Sequence, residues 1–441
     1  MLVLPPQVDA ALSLLEAAGF EAFLVGGAVR DYVRGESEPK DWDIATDALP
    51  EQVARVFGGY RLIETGLRHG TVTVVLDHLP IEVTTYRVDG QYSDHRRPDT
   101  VSFTRSLKED LARRDFTMNA LAYRRGSGVV DFYGGVGDIE GGLVRCVGDP
   151  DRRFREDALR LLRALRFASI FGMRIEAATE AAVHRNRALL SAVAAERTQT
   201  ELTKLLCGRD APCVLRNFAD VFAVPVPELA PMFGFDQRNP HHDRDIWEHT
   251  LAVVDGVPAD PVMRWAALLH DVGKPQCFSV DDDGVGHFYG HAGKSEEIAG
   301  RVLSRLHFST AVSRQILLLI RFHDLPLIAE KKLIKRLVSR LGVAPVRQLI
   351  ALHRADTQGQ SAACADRLET CCQAELMLEA ILREDACFSR KDLAVNGDDM
   401  LAAGFRGRDV GTALESCLKA VIEERVPNER QALLAYVQGL L

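Results

Sequence analysis

Over the first 147 residues the apolar positions fall in short alternating runs, TVTVVL at 71–76 and IEVTTY at 81–86, separated by glycine-rich turns. Alternation with period two gives each strand one apolar face, so this stretch predicts a small mixed sheet. After Pro150 the apolar spacing changes to three and four residues and stays so to the end, which predicts helices with one buried stripe each. The expected fold class is α+β: a sheet-containing head at 1–147, then an all-α remainder divided into a neck at 148–220, a body at 221–360 and a tail at 361–441. No internal repeat or low-complexity tract breaks this order. The polar run VDGQYSDHRRPDT at 88–100 predicts a surface loop able to close over a substrate, and GFRGRDVG at 404–411 predicts a turn between two amphipathic helices.

Composition narrows the function classes. The 441 residues are 47% hydrophobic, enough for several cores, yet no run of about 18 apolar residues predicts a membrane span. The start MLVLPPQ lacks the basic stretch of a signal peptide. Nine cysteines, an odd number with no CxxC spacing and with Cys371 next to Cys372, predict reduced thiols in a cytoplasmic chain, not disulfides or a zinc framework. A net charge of −8 argues against a surface that coats nucleic acid broadly. Residues 151–216 nevertheless carry 13 Lys or Arg against 8 Asp or Glu, so any affinity for RNA must be focused. None of these features bears on oligomeric state.

Candidate chemistry begins with LVGGAVRD at 24–31, which reads as strand, turn and helix. Gly26 and Gly27 permit a tight turn with close backbone approach, and the N–H groups of the helix start together with Arg30 would face a triphosphate. Ten residues after Asp31 comes DWD, whose Asp41 and Asp43 share one face if they lie on a strand. Paired hard oxygen ligands suit Mg2+, and two such ions can clamp the attacking and leaving oxygens of a phosphoryl displacement. A DxD alone is common in surface turns; the glycine pair and arginine ahead of it sharpen the signal. Glu82 in IEVTTYR is either a third catalytic carboxylate on a neighbouring strand or a solvent-facing strand residue. In EDALRLLRALRF at 156–167, Asp157, Arg160 and Arg163 recur every three residues along one helical face. A carboxylate accepts from an exocyclic amine and a guanidinium donates to ring acceptors. One such pair can therefore read cytosine and adenine while rejecting uracil and guanine. An arginine-rich helix laced with ion pairs would show the same spacing, and only the company of the first two motifs favours base reading.

GGAVRD, DWDIAT, RRDFTMNA at 113–120, DFYGGVGDI at 131–139 and REDALRLLRALRFA at 155–168 resemble, in order and spacing, the class II nucleotidyltransferases. That family holds bacterial CCA-adding tRNA nucleotidyltransferases and poly(A) polymerases. The resemblance covers about the first 210 residues, with ERTQTELTKLL at 196–206 extending it through the neck. It implies a polymerase-β-like head in which Asp41 and Asp43 hold Mg2+ with Glu82 as third catalytic carboxylate. Gly26, Gly27, Arg30, Arg114, Asp115 and Asn119 would surround the ribose and triphosphate, with Asp157, Arg160, Arg163 and Arg166 completing the nucleotide site. The implied partners are tRNA, CTP and ATP, with no membrane. The implied reaction is template-independent addition of CCA to tRNA with release of pyrophosphate, the tail gripping tRNA by shape and backbone. Addition of A alone, of CC alone, or of a poly(A) tail remains open; the full-length loop before RRD disfavours the CC-only form.

A second constellation lies downstream. Eight of thirteen histidines fall between His241 and His323, seven of them in HHDRDIWEHT, LLHDVGK, HFYGHAGKSEE and IRFHD. The set resembles the HD superfamily of metal-dependent phosphohydrolases, a module that some class II enzymes carry after the neck. The resemblance implies that His249, His270, Asp271 and Asp356 ligate a divalent transition metal, with His291 and His323 placed for a second ion. His241 and His242 are assigned no role. The alternative that this implies is a chain whose main activity is hydrolysis of phosphomonoesters or cyclic nucleotides.

Overall fold

The structure, a computed structural model, describes residues 2–36, 41–63, 66, 70–90, 92, 100–361, 364–384 and 387–440, without the side chain of residue 365. Most of the expected loop at 88–100 lies outside the described residues. The chain divides into two compact units, Met1–Pro227 and Glu228–Leu441.

The first unit opens with α1 (Pro6–Ala17), β1 (Ala22–Val25), α2 (Gly27–Val33), β2 (Asp43–Thr46), α3 (Pro50–Val56), β3 (Arg61–Ile63), β4 (Thr71–Leu76) and β5 (Leu79–Thr85). A two-stranded ribbon of β6 (Arg87–Asp89) and β7 (Val101–Phe103), then α4 (Leu107–Ala112), β8 (Leu121–Arg124), β9 (Gly128–Asp131) and α5 (Gly135–Glu140) follow. Seven strands form one sheet in the order β3-β4-β5-β2-β1-β8-β9. It is mixed: β2 and β5 run parallel, and β1 is antiparallel to both β2 and β8. The β4–β5 hairpin turns through Asp77 and His78, both in the left-handed region, as a two-residue hairpin requires. The inward positions of TVTVVL, Val72, Val74 and Leu76, are buried, as the alternation predicts. Central β1 is buried along its whole length. Phe23 and Val25 on one of its faces pack with Ala45, Tyr86, Leu111 and Ala122.

From here the unit is helical apart from the short parallel pair β10 (Leu143–Val144) and β11 (Arg174–Ile175): α6 (Pro150–Glu156), α7 (Leu159–Phe171), α8 (Ala177–Asn186), α9 (Ala195–Leu206), α10 (Ala211–Asn217) and α11 (Ala219–Phe222). The single helix expected over 156–167 is broken. Asp157 is extended, and its Oδ1 accepts from Leu159 N–H at 3.1 Å, starting α7 anew. An aspartate offering its side chain to the backbone is a common reason for such a break. Asp157 therefore does not share a helical face with Arg160 and Arg163.

The second unit holds α12 (Ile246–Gly256), α13 (Pro261–Leu269), α14 (Lys274–Cys277), a two-residue ribbon of β12 (Ser279–Val280) and β13 (Gly286–His287), α15 (His291–Arg305), α16 (Thr310–Phe322), α17 (Lys331–Leu341), α18 (Val343–Gly359) and α19 (Ala365–Arg383). The chain ends in α20 (Gly397–Ala402), α21 (Arg408–Ile422) and α22 (Arg430–Gln438). The turn between α20 and α21 falls where GFRGRDVG predicts it. Its cores are separate clusters, one around Ile334, Val346, Ile350 and Leu378, another around Met400, Cys417, Leu418 and Leu433. All nine cysteines are unpaired. No helix is long and apolar enough to cross a membrane among the described residues.

Candidate active site

The head's chemistry is assembled at the ends of β1 and β2. Chain leaving β1 turns at Gly26, whose φ of +72° is one that L side chains avoid. A Cβ there would stand 3.2 Å from Asp43 Oδ2 and 3.4 Å from Arg114 Nη1, so the turn is both strained for other residues and closely packed. Asp43 begins β2 and pairs in register with Glu82 on β5; Asp41 lies just before the strand. Burial, with the charges of Glu82 and Asp41 beside it and against the pull of Arg114, pushes the Asp43 carboxyl up to about 6. Glu82 and Asp41 thus both disfavour the charge on Asp43, a repulsion that a cation would relieve, and carboxylate oxygens suit Mg2+.

Across the cleft a chain of charged groups is tied together. Arg30 Nη1 donates to Asn119 Oδ1 at 3.0 Å, Asn119 Nδ2 donates to Asp115 Oδ1 at 2.9 Å, and Arg163 pairs with Asp115 Oδ2 at 2.6 Å. Burial opposes the Asp115 charge, yet Arg163, the Asn119 bond and Arg160 hold its carboxyl down at about 2. Arg160 is pinned to the Arg113 carbonyl at 3.1 Å and to Glu156 Oε2 at 2.8 Å. Asp157 is steadied by Arg197 Nη2 at 3.1 Å, and Arg166 pairs with Glu201 at 3.2 Å. The cleft, about 920 Å3, is lined by Gly26, Gly27, Arg30, Asp41, Asp43, Arg114, Asp115, Asn119, Asp157, Arg160, Arg163 and Arg166. Every head candidate except Glu82, which is exposed beside Asp43, therefore lines one cavity. Arg197, Lys204, Phe167 and Phe171 line it too and were not anticipated. Arg197, Glu201 and Lys204 recur at helical spacing in ERTQTELTKLL, a signal that was present. The Phe171 ring lies under the Arg34 guanidinium at 3.5 Å.

The second unit gathers the histidines. His249 sits on α12, His270 and Asp271 follow α13, His291 opens α15, His323 follows α16 and Asp356 lies on α18. All converge on Asp271. Its Oδ2 is 3.2 Å from His270 Nε2 and 3.5 Å from His249 Nε2, while its Oδ1 is 3.4 Å from His291 Nε2 and 3.6 Å from His323 Nε2. Asp356 Oδ1 lies 2.9 Å from His249 Nε2 and 3.7 Å from His270 Nε2. In each ring Nδ1 faces a backbone carbonyl: Gly359 for His249, Ala267 for His270, Phe288 for His291 and Ile320 for His323. Carbonyls accept, so these bonds place the proton on Nδ1 and aim each Nε2 inward, the usual support of metal-ligating histidine. Apart from the Lys274 ion pair to Asp271 Oδ2, the buried Asp271 oxygens and His270 Nε2 make no well-formed hydrogen bond among the described residues, which fits cation ligands. Two groups of ligand-like atoms result, His249, His270 and Asp271, and Asp271, His291 and His323. Lys274, 2.7 Å from Asp271 Oδ2, and His242 stand in the same cleft and had no assigned role in the sequence.

A glycine turn against paired carboxylates, facing arginines tied to a buried aspartate, is the equipment of a metal-dependent nucleotidyltransferase. Residues 22–145 match the family model for the poly A polymerase head domain, and 172–221 that for the RNA and SrmB-binding site of polymerase A. Residues 287–437 match the tRNA nucleotidyltransferase domain 2 model. The chain is 34% identical to the CCA-adding enzyme of Lactiplantibacillus plantarum over 99% of its length and 97% of the relative. It is 34% identical to that of Levilactobacillus brevis over 98% of both. It is similar to the Bacillus stearothermophilus CCA-adding enzyme solved in complex with CTP, with a TM-score of 0.73, 28% identity and coverage of 99% and 98%. The Thermotoga maritima CCA-adding enzyme complexed with tRNA shares the fold, with a TM-score of 0.60 at 18% identity. The chain belongs to the CCA-adding enzyme family.

Proposed function

We propose that this protein adds CCA to the 3′ end of tRNA from CTP and ATP, releasing pyrophosphate and using no nucleic-acid template. The observation that carries this reading is a single cleft that unites the carboxylates Asp41 and Asp43 with Asp157 and Arg160, in a chain that matches CCA-adding enzymes from end to end. Asp41 and Asp43, with Glu82 beside them, would hold Mg2+, which supplies charge neutralisation and lowers the pKa of the tRNA 3′-hydroxyl. Arg30 and Arg114 bind the triphosphate beside the Gly26 turn, and Asn119 and Asp115 orient the ribose. Asp157 accepts from the exocyclic amine of cytosine or adenine while Arg160 donates to a ring acceptor. Both side chains are pinned to protein groups, so the base meets a fixed hydrogen-bonding edge. The bond from the 3′-oxygen to the α-phosphorus forms as the bond to pyrophosphate breaks, and alignment supplies most of the acceleration. The expected compartment is the cytoplasm. The test is incorporation by nucleotide omission: a tRNA ending at the discriminator base should gain two residues with CTP alone and a third only when ATP is added.

The inward-facing Nε2 atoms around Asp271 favour a second reading for the other unit. We infer a metal-dependent phosphohydrolase centre with His249, His270, Asp271 and Asp356 as ligands of one transition metal, and Asp271, His291 and His323 as ligands of a second. Imidazole with carboxylate suits such metals better than Mg2+. Metal analysis of the purified protein, followed by a screen of phosphate esters, tests it.

A further inference from the structure

The His/Asp centre faces a cleft of about 290 Å3 bounded by Lys274, Tyr289 and Arg367, at the lower limit of volumes that accept an organic ligand. A second cavity of about 370 Å3 continues from it, sharing His323, Asp324, Asp356, Gln360 and Arg367. Leu325, Pro326, Leu327, His353 and Thr370 line this second cavity and not the first. His353 lies one turn before Asp356 on α18, and its Nε2 is buried without a hydrogen-bond partner among the described residues. The other ring nitrogen donates to the Phe322 carbonyl, so the unpaired Nε2 on the cavity wall is the bare one and calls for a donor from whatever fills that cavity. At the junction Arg367 Nη1 donates to Gln360 Oε1 at 3.2 Å, and Gln360 Nε2 donates to Asp356 Oδ2 at 3.1 Å, so a guanidinium is held beside the metal ligands.

We propose that the second cavity is the leaving-group subsite of the His/Asp centre, serving monoesters of small alcohols. The phosphate sits in the metal cleft near Lys274 and Arg367, and the organic part lies under Leu325–Leu327, where a hydroxyl or N–H donates to His353 Nε2. The inference rests on the phosphohydrolase reading. In the reaction the water oxygen bonds to phosphorus as the bond from phosphorus to the alcohol oxygen breaks. One water proton ends on the alcohol and the other stays with the phosphate.

The test is calorimetric binding to the whole protein loaded with Mn2+, using inorganic phosphate, phenylphosphonate and its 3- and 4-hydroxy derivatives, none of which is hydrolysed. At least one hydroxy derivative should bind about tenfold tighter than phenylphosphonate, and His353→Phe should remove that gain without weakening phosphate. Thr370→Trp, which fills the cavity, should cost every arylphosphonate tenfold or more and leave phosphate unchanged. If wild-type protein binds neither Mn2+ nor phosphate, the hydrolase reading falls and the subsite with it. If phosphate binds but arylphosphonates bind Thr370→Trp as tightly as wild type, or no hydroxyl gain depends on His353, the centre stands and the subsite is overturned.

Discussion

Replacing Asp43 with Asn should destroy catalysis and yet make the metal-free protein more stable. Burial and the neighbouring Glu82 and Asp41 raise the Asp43 carboxyl from an ordinary 3.8 to about 6. A folded-state pKa above the unfolded value means stability that is intact below pH 3.8 and is lost as pH rises through 6. At pH 8 the ionised form costs the fold about 3 kcal/mol, and at pH 5 about 1.6 kcal/mol, from a two-unit shift at 1.36 kcal/mol per unit. Asparagine has nearly the same shape and no charge, so it escapes this cost. Urea unfolding in the presence of a chelator should therefore show the stability gained by Asp43→Asn growing by about 1.4 kcal/mol between pH 5 and pH 8. Mg2+ at a hundred times its Kd should stabilise the wild type by about 2.7 kcal/mol and the variant far less. A variant no more stable than wild type at pH 8 without metal, or one stabilised equally by Mg2+, would refute the claim that Asp43 is a strained carboxylate awaiting a cation.

Further outcomes follow from the same geometry. Gly26→Ala holds an alanine at φ +72° and ψ −134°, outside the left-handed helical well, at a cost of roughly 1–3 kcal/mol, and brings a methyl to 3.2 Å from Asp43 Oδ2. Incorporation should fall at least tenfold with the circular dichroism spectrum unchanged, and wild-type rates would contradict the tight turn. Asp157→Ala and Arg160→Ala each remove hydrogen bonds worth roughly 1–3 kcal/mol, so competition assays with all four nucleotides should show UTP and GTP entering; unchanged selectivity in both would place base reading elsewhere. His270→Ala combined with Asp271→Ala should empty the second unit of transition metal by elemental analysis and end phosphate-ester hydrolysis, with CTP and ATP addition largely retained. Metal content equal to wild type would disprove the ligand assignment.

The legible part of this molecule was the part written in contiguous motifs. Gly26, Arg30, Asp41 and Asp43 announce themselves because a turn, a helix start and a strand edge constrain residue type locally, and the sheet brings Glu82 into register through simple alternation. The His/Asp centre was legible for another reason: His and Asp are costly to bury, and their clustering along the chain anticipates clustering in space. The break at Asp157 was not visible, since EDALRLL continues the helical period without a glycine or proline, and only the side-chain bond to Leu159 N–H ends it. Lys274, Gln360 and Arg367 line their cleft without a local mark in the sequence of the partners they meet, whereas Arg197 shares helical spacing with Glu201 and Lys204 in ERTQTELTKLL. Packing decides whether such a residue lines a cleft.

The measurement closest to the central claim is sequencing of 3′ ends after the protein has been incubated with Mg2+, all four nucleoside triphosphates and a tRNA ending at its discriminator base. The account predicts products ending in CCA, no further extension, and no product from Asp41→Ala or Asp43→Ala. Products carrying only A, only CC or a run of adenosines, or full activity in either aspartate variant, would contradict it.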